Sequence, residues 1–203
     1  MLKSTRLMAA VLASLIISIA SVIPISVSAA TQTIPFTGWT ASLANPTEIP
    51  TSSNANSLSP EWVNGNGCGG YYTGSNPLEM QCKDTATTLS GTRVVIRVGF
   101  WTGTNGFGWS KSWYYHNLAM QPTIDTIRSG SASGSYSSRN YEVYHQTNGV
   151  IDQEVIVVAD ITDISFQGVA TPDYAPVGEL TGYCLTGSGV TEATCPDWVN
   201  STL

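Results

Sequence analysis

Three segments in the second half of the chain have hydrophobic and polar patterns typical of β-strands: the first alternates, and the second is strongly apolar. They are Asn140–Gln146, Asp152–Ile161 and Val177–Cys184. Between the first two, Thr147–Asn148–Gly149 is a turn sequence that favours a hairpin, so this region predicts an antiparallel meander. An earlier β-branched and aromatic run, Thr92–Trp101, predicts another strand. Its Arg93, Val95 and Arg97 would share one face, with both arginines at an edge or toward solvent.

A short helix is predicted at Gln121–Gly130, ahead of the meander. Pro122 suits its first position, Arg128 its last turn and Gly130 its end. The following Ser129–Ser138 is rich in Ser and Gly and predicts a loop. The expected fold is α+β, with short N-terminal helices packed on an antiparallel β-meander.

The N-terminal third predicts export. Residues 1–30 combine a basic start, a long apolar run and a small-residue cleavage site, which together indicate a signal peptide. Residues 31–60, rich in Thr, Ser, Asn and Pro without a period, predict a linker or extended arm. Residues 61–203 then form a single domain. We expect a secreted, extracellular protein with no stable membrane association once the leader is cleaved; retention as an N-terminal anchor is the alternative.

Four cysteines lie in the exported part: Cys68, Cys82, Cys184 and Cys195. An even number in an exported chain predicts disulfides. Of the three pairings, we favour Cys68–Cys82 and Cys184–Cys195, because each closes a short loop rich in flexible or turn-forming residues. A zinc site is the weaker alternative, since no close Cys-x-x-Cys pair exists and the histidines lack ligand spacing. No cofactor is expected.

Leader removal makes an already acidic chain more acidic. It takes Lys3 and Arg6 from eight basic residues and leaves all 14 acidic ones, so the formal charge moves from −6 to −8. Such a charge opposes long-range attraction of polyanions such as nucleic acids.

The chain has two histidines, His116 and His145. The imidazole pKa, about 6.5, allows proton transfer in both directions near neutrality, so two in one domain predict an acid/base pair. The alternative is one packing residue and one surface residue. Polar groups would converge on an open sheet surface if two strand faces coincide: Tyr141, Val143 and His145 on one strand, and Glu179, Thr181 and Tyr183 on the other.

The order of features over residues 105–200 resembles a known family. The features are Gly106–Phe107–Gly108–Trp109–Ser110–Lys111, His116–Asn117, the short helix, the three strands and the closing Cys195–Pro196–Asp197–Trp198–Val199–Asn200. This order is similar to the C-terminal toxin domains of secreted bacterial polymorphic toxins, which resemble the barnase/EndoU-like ribonuclease fold.

The resemblance implies metal-independent RNA cleavage, in which a 2′-hydroxyl attacks the adjacent phosphate. It also implies RNA as substrate and a neutralising immunity protein as partner. The implied catalytic positions fall on His116, Arg139 and Thr181, with His145 as the second histidine if its strand register agrees. Tyr141 is the implied substrate-binding position, and the chemistry would use Arg128 to hold phosphate oxygens, with Lys111 as a spare cation.

A dense aromatic run gives a second hypothesis. Its residues are Trp101, Trp109, Trp113, Tyr114 and Tyr115. Core packing is the plain explanation, and a surface for stacking ligands is the other. A non-catalytic exported module would use such aromatics to hold a glycan or a protein partner. A structural or adhesive secreted protein is the third hypothesis.

Overall fold

The computed structural model describes residues 36–41 and 68–203, all within one compact unit. These residues form a mixed α+β fold with antiparallel strand pairs and few helices, as the sequence predicts. The expected signal peptide, residues 1–30, and most of the expected arm, residues 31–60, lie outside the described residues.

The described elements follow one another along the chain, with one 3-10 turn at Leu78–Met80 after the first strand. They are β1 (Gly38–Thr40), β2 (Cys82–Thr87), β3 (Arg93–Arg97), β4 (Phe100–Trp101), β5 (Gly106–Phe107), α1 (Gly108–His116), α2 (Met120–Ser129), β6 (Ser131–Ser135), β7 (Ser138–Thr147), β8 (Val150–Asp160), β9 (Ser165–Phe166), β10 (Val169–Ala170), β11 (Gly178–Thr186) and α3 (Val199–Thr202).

The largest sheet contains the three strands that the sequence predicts as a meander. Its order is β1-β7-β8-β11, with β6 also paired to β7, and every pair is antiparallel. The predicted hairpin turn is confirmed, because Asn148 and Gly149 both adopt left-handed conformations, with φ of 53° and 78°. That conformation matches the twist of the strands it joins.

Two strands of the large sheet lie where the sequence predicts none. Ser131–Ser135, in the expected Ser/Gly loop, pairs with β7 as the strand β6. All five of its residues are exposed, so it carries no apolar alternation to reveal it. Gly38–Thr40, in the expected arm, forms β1, which pairs with Tyr144–Gln146 on the same edge of β7. Both strands form because β7 provides hydrogen-bond partners, and neither has a residue pattern that predicts a strand.

Helices α1 and α2 lie in the middle of the chain and the short α3 follows the last strand, so the expected N-terminal place of the helices is not confirmed. The predicted helix is present as α2, where Pro122 occupies the third helical position instead of the first. The aromatic segment before it forms α1, which ends at Asn117 in the left-handed conformation. Gly108 begins α1 at a φ of 72°, with room for no side chain, since a Cβ there would meet Gly99 at 2.8 Å.

The main core lies between one face of the large sheet, which we call the core face, and the elements packed on it. Its buried members include Val143, Val155 and Val157 from the sheet and Ile124 and Ile127 from α2. The opposite side of β7, β8 and β11 is called the outer face below. Both expected disulfides are present, closing separations of 14 and 11 residues between Cys68 and Cys82 and between Cys184 and Cys195.

Arg97 does not lie at an edge or toward solvent as expected; it is fully buried. Its two terminal nitrogens donate to the two carboxyl oxygens of Asp173 at 3.1 and 2.9 Å. The guanidinium also donates to the backbone oxygens of Met80, Pro176 and Val177. This network joins the β2–β3 hairpin to the segment that leads into β11.

We expect Asp173→Asn to lower the free energy of unfolding by about 3–5 kcal/mol, because it leaves the Arg97 charge buried without its counter-charge. Urea unfolding followed by far-UV circular dichroism measures the loss. Arg128→Gln is the matched control, since the exposed Arg128 side chain pairs with Asp125 at 3.9 Å and its loss should cost less than about 1 kcal/mol. Equal losses in the two variants would contradict the structural role of Arg97.

Candidate ligand-binding site

Three residues singled out by the sequence lie together where α1 packs along β11. Lys111 and His116 belong to the helix, and Thr181 belongs to the strand. The imidazole of His116 lies 5.7 Å from the ring of Tyr183, measured between ring centroids. This helix–strand contact is therefore the place to look for chemistry.

His145 lies elsewhere and does not face His116. It is paired across the sheet with Trp39, a buried residue of the core. Its imidazole contacts the rings of Trp39 and Trp198 at 5.1 and 4.9 Å. His116 instead contacts Tyr183, whose side chain projects from the outer face. The two imidazoles thus belong to different faces of the sheet, and the expected acid/base pair is not assembled.

The remaining predicted site residues are engaged in their own surroundings. Arg139 lies over the ring of Tyr136, 5.7 Å from its centroid, within the β6–β7 hairpin. Arg128, in the last turn of α2, pairs with Asp125 of the same helix. Tyr141 is only 2% exposed and packs in the core.

A β-bulge separates residues that the sequence places on one face. Glu179 is opposite Ala159, whereas Thr181 is opposite Val158, so the register shifts between them. Glu179 consequently lies on the core face, and Thr181 and Tyr183 lie on the outer face. Strict alternation fails here because a bulge places one extra residue on one strand.

Glu179 is fully buried beneath α1. The Ser112 hydroxyl donates to one of its carboxyl oxygens and accepts from the backbone N–H of Gly182 at 2.6 Å. The other carboxyl oxygen has no hydrogen-bond partner. Burial raises the pKa of Glu179 to about 7, although the Ser112 bond and the charge of Lys111 act in the opposite direction.

His116 is uncharged at neutral pH. It is 8% exposed, and burial lowers its pKa to about 4, with a further contribution from the charge of Lys111. Its Nδ1 has no hydrogen-bond partner, and the same holds for the buried hydroxyl of Thr181. Buried polar atoms without partners are rare in proteins, and two of them lie near Tyr183: His116 is in ring contact with it, and Thr181 is two residues earlier on β11.

Four rings form a continuous series from β4 across α1 to β11. Successive centroids are 4.3 Å apart from Trp101 to Tyr115, 4.3 Å from Tyr115 to His116 and 5.7 Å from His116 to Tyr183. Trp101 and Tyr115 are stacked, and Tyr115 is 46% exposed. We call these four residues the aromatic strip. Core packing explains Trp109, which is buried, but it does not explain Tyr115.

Two carboxylates, Glu142 and Glu154, share the outer face with Tyr183, and we call them the acidic pair. The Tyr144 hydroxyl donates to Glu142 at 3.1 Å. Burial and the charge of Glu142 raise the pKa of Glu154. Burial and both carboxylates raise the pKa of Tyr144 to about 12 and also raise that of Tyr183. The pair therefore gives this face a negative field.

The sequence contained a partial signal for this pair. Alternation in β7 places Glu142 and Tyr144 opposite the apolar Tyr141 and Val143, hence on the polar face. Glu154 lies between the polar Gln153 and the apolar Val155, so no alternation distinguishes it, and its nearness to Glu142 depends on register.

Within residues 36–41 and 68–203, no three His, Cys, Asp or Glu side chains are grouped as metal ligands. No described helix is long and apolar enough to cross a membrane. No protein-family model matches the chain, and comparison with curated proteins and with solved structures found no match. The chemistry of the site itself is therefore the basis for assigning a function.

We expect the stability of wild-type protein relative to Glu179→Gln to fall as pH rises from about 4.5 to about 7. The raised pKa means that ionisation is more costly in the folded state, so this contribution is favourable at low pH and is lost through that window. The difference between pH 4.5 and pH 8 should reach about 3 kcal/mol. Urea unfolding across this range measures it.

Glu79→Gln, the same change at a half-buried position on the 3-10 turn, controls for the loss of one charge. A stability difference between wild type and Glu179→Gln that stays constant over this pH range would contradict the assignment of Glu179 as a buried acid whose ionisation is disfavoured in the folded state.

Proposed function

We propose that this protein is an exported binding module that holds a glycan along the aromatic strip. The observation that supports this most directly is the stack of Trp101 on Tyr115, which leaves Tyr115 accessible and continues toward Tyr183. Exposed aromatic surface that does not serve the core is typical of ligand-binding sites.

Sugars match the two kinds of surface that meet here. A sugar ring has apolar C–H faces, which pack on aromatic rings, and hydroxyl groups at its edge, which need hydrogen-bond partners. The strip offers the rings, while the acidic pair offers acceptors on the same side of the sheet.

Charge also favours a neutral ligand. The exported chain carries a formal charge of −8, and two carboxylates lie beside the strip. RNA phosphates would be repelled by this field, whereas a neutral glycan would not. The two disulfides indicate an oxidising compartment, which suits an exported protein that meets glycans outside the cell.

The ribonuclease implied by the family resemblance has less support. That chemistry needs two proton-transfer groups on one phosphate, and the imidazoles of His116 and His145 belong to different faces of the sheet. Arg139 and Arg128 are each engaged within their own hairpin or helix. The expected immunity protein depends on the same hypothesis, so it has no more support than the ribonuclease.

Titration calorimetry of the oxidised domain against xylan, β-glucan, mannan and chitin oligosaccharides tests the proposal. We expect binding to at least one of them, weakened about tenfold or more in Trp101→Ala and Tyr115→Ala, a loss of about 1.4 kcal/mol. Tyr136→Ala is the matched control, because Tyr136 is 65% exposed on the β6–β7 hairpin, away from the strip.

No binding by wild type, or equal weakening by Tyr136→Ala, would contradict the glycan proposal. Cleavage of single-stranded RNA in EDTA by wild type but not by His116→Ala would instead support the ribonuclease.

A further inference from the structure

Trp101, the first ring of the aromatic strip, belongs to a hairpin that is too short to hold its own position. Strands β4 and β5 contain two residues each and form a separate two-stranded sheet. An isolated two-stranded hairpin is at best marginally stable in water. The residue opposite Trp101 is Gly106, which contributes no side chain to support the indole. The placement of Trp101 therefore depends on what packs against the two faces of this hairpin.

The two faces of the β4–β5 hairpin contact different elements. Successive residues of a strand point to opposite faces, so Phe100 and Trp101 lie on different sides. On one side, Trp101 stacks on Tyr115 of α1. On the other side, Phe100 and Phe107 contact the ring of Phe166, at centroid distances of 6.2 and 4.4 Å. Phe166 belongs to β9, so the hairpin that carries Trp101 is held between α1 and the β9–β10 hairpin.

Two side-chain amides, which we call the amide pair, join the tips of these hairpins. The amide nitrogen of Asn105 donates to the amide oxygen of Gln167 at 3.0 Å, and the Gln167 nitrogen donates to the Asn105 oxygen at 3.0 Å. The same Asn105 oxygen accepts from the backbone N–H of Gly106 at 2.9 Å. The amide pair is therefore connected directly to the residue opposite Trp101.

Gln167 has a backbone conformation that is unusual for its residue type. It is the first of the two turn residues between β9 and β10, and its φ of 51° lies in the left-handed region. Asn, Asp and Gly are favoured at such a position, because other side chains crowd the backbone there. Strained backbone of this kind is typical of positions that have a functional role. The contact of the Gln167 side chain with Asn105 supplies such a role.

The β9–β10 hairpin is itself fixed to the rest of the domain. The backbone N–H of Thr171 donates to the Ile164 oxygen at 2.8 Å, and the Thr171 hydroxyl donates to the Ala175 oxygen at 2.7 Å. Two residues after Thr171, Asp173 forms its ion pair with the buried Arg97. This segment therefore offers the β4–β5 hairpin a fixed support.

We propose that the β9–β10 hairpin positions Trp101 for ligand binding, with Asn105 and Gln167 as positioning residues of the glycan site. This inference rests on the proposed glycan-binding function. Neither residue needs to contact the sugar, because the amide pair holds the β4–β5 hairpin so that Trp101 stays stacked on Tyr115 before a ligand arrives. A ring that is already ordered removes part of the entropy cost of binding. The affinity for a glycan therefore depends on a contact outside the aromatic strip.

Removal of the amide pair tests the effect on affinity. Titration calorimetry uses the xylan, β-glucan, mannan or chitin oligosaccharide that wild type binds most tightly. We expect Gln167→Ala, at an exposed turn, to weaken binding about three- to tenfold, in keeping with the modest net contribution of hydrogen bonds. Asn105→Ala should weaken it similarly, and the double variant by no more than the larger single effect, because both residues act through one contact.

The stack of Trp101 on Tyr115 gives a second readout that needs no ligand. The ring current of the indole shifts the NMR resonances of the Tyr115 ring protons, so these resonances report whether the stack is in place. We expect Gln167→Ala to move them toward the values of a solvated tyrosine, an effect that a loss of overall stability would not produce. Gln121→Ala is the matched control, because the Gln121 amide donates to Asp125 at 2.8 Å on α2, which carries no residue of the strip.

Each readout can overturn the proposal. Wild-type affinity in Gln167→Ala, or losses that add in the double variant, would show that the amide pair does not act as one positioning contact. Weaker binding with unchanged Tyr115 resonances would also overturn it, since Trp101 would then still be in place. Absence of binding by wild type would reject the glycan function itself; the Tyr115 resonances of Gln167→Ala would then support the positioning of Trp101 if they shift and overturn it if they do not.

Discussion

The hydroxyl of Ser112 joins α1 to the edge strand of the large sheet, and the candidate site depends on that junction. It donates to Glu179 and accepts from the Gly182 N–H, which would otherwise be an unpaired group of the edge. Gly182 permits the close approach, because a Cβ there would meet Leu118 at 2.5 Å. Once α1 is held along β11, His116 lies against Tyr183 and the aromatic strip is continuous.

The bulge between Glu179 and Thr181 lets one short segment serve both sides of the sheet. Before it, the carboxyl of Glu179 faces the core and anchors α1; after it, Thr181 and Tyr183 face outward beside the acidic pair. An unbroken strand would have placed Glu179 and Tyr183 on one face, so that anchoring the helix and presenting the ring would compete. The site is therefore a consequence of one inserted residue.

Local patterns predicted what depends on local sequence. The strands β7, β8 and β11, the turn at Asn148 and the short disulfide loops are encoded within a few residues of where they form, and the structure confirms them. The strand β6 could not be recognised, because its exposed residues follow no apolar period. The burial of Arg97 depends on Asp173, 76 residues away, and the separation of His116 from His145 depends on sheet register.

The same distinction explains why the acidic pair is informative about function. Folding alone would favour separating Glu142 from Glu154, since like charges on neighbouring strands destabilise a sheet. The pair instead lies on central strands, where the backbone is held on both sides and the two carboxyl groups keep a fixed relation. The Tyr144 and Ser133 hydroxyls donate to Glu142, and burial together with the charge of Glu142 raises the pKa of Glu154. Two carboxyl groups kept on one face of the sheet beside an accessible aromatic strip are suited to accept hydrogen bonds from the hydroxyls of a bound sugar.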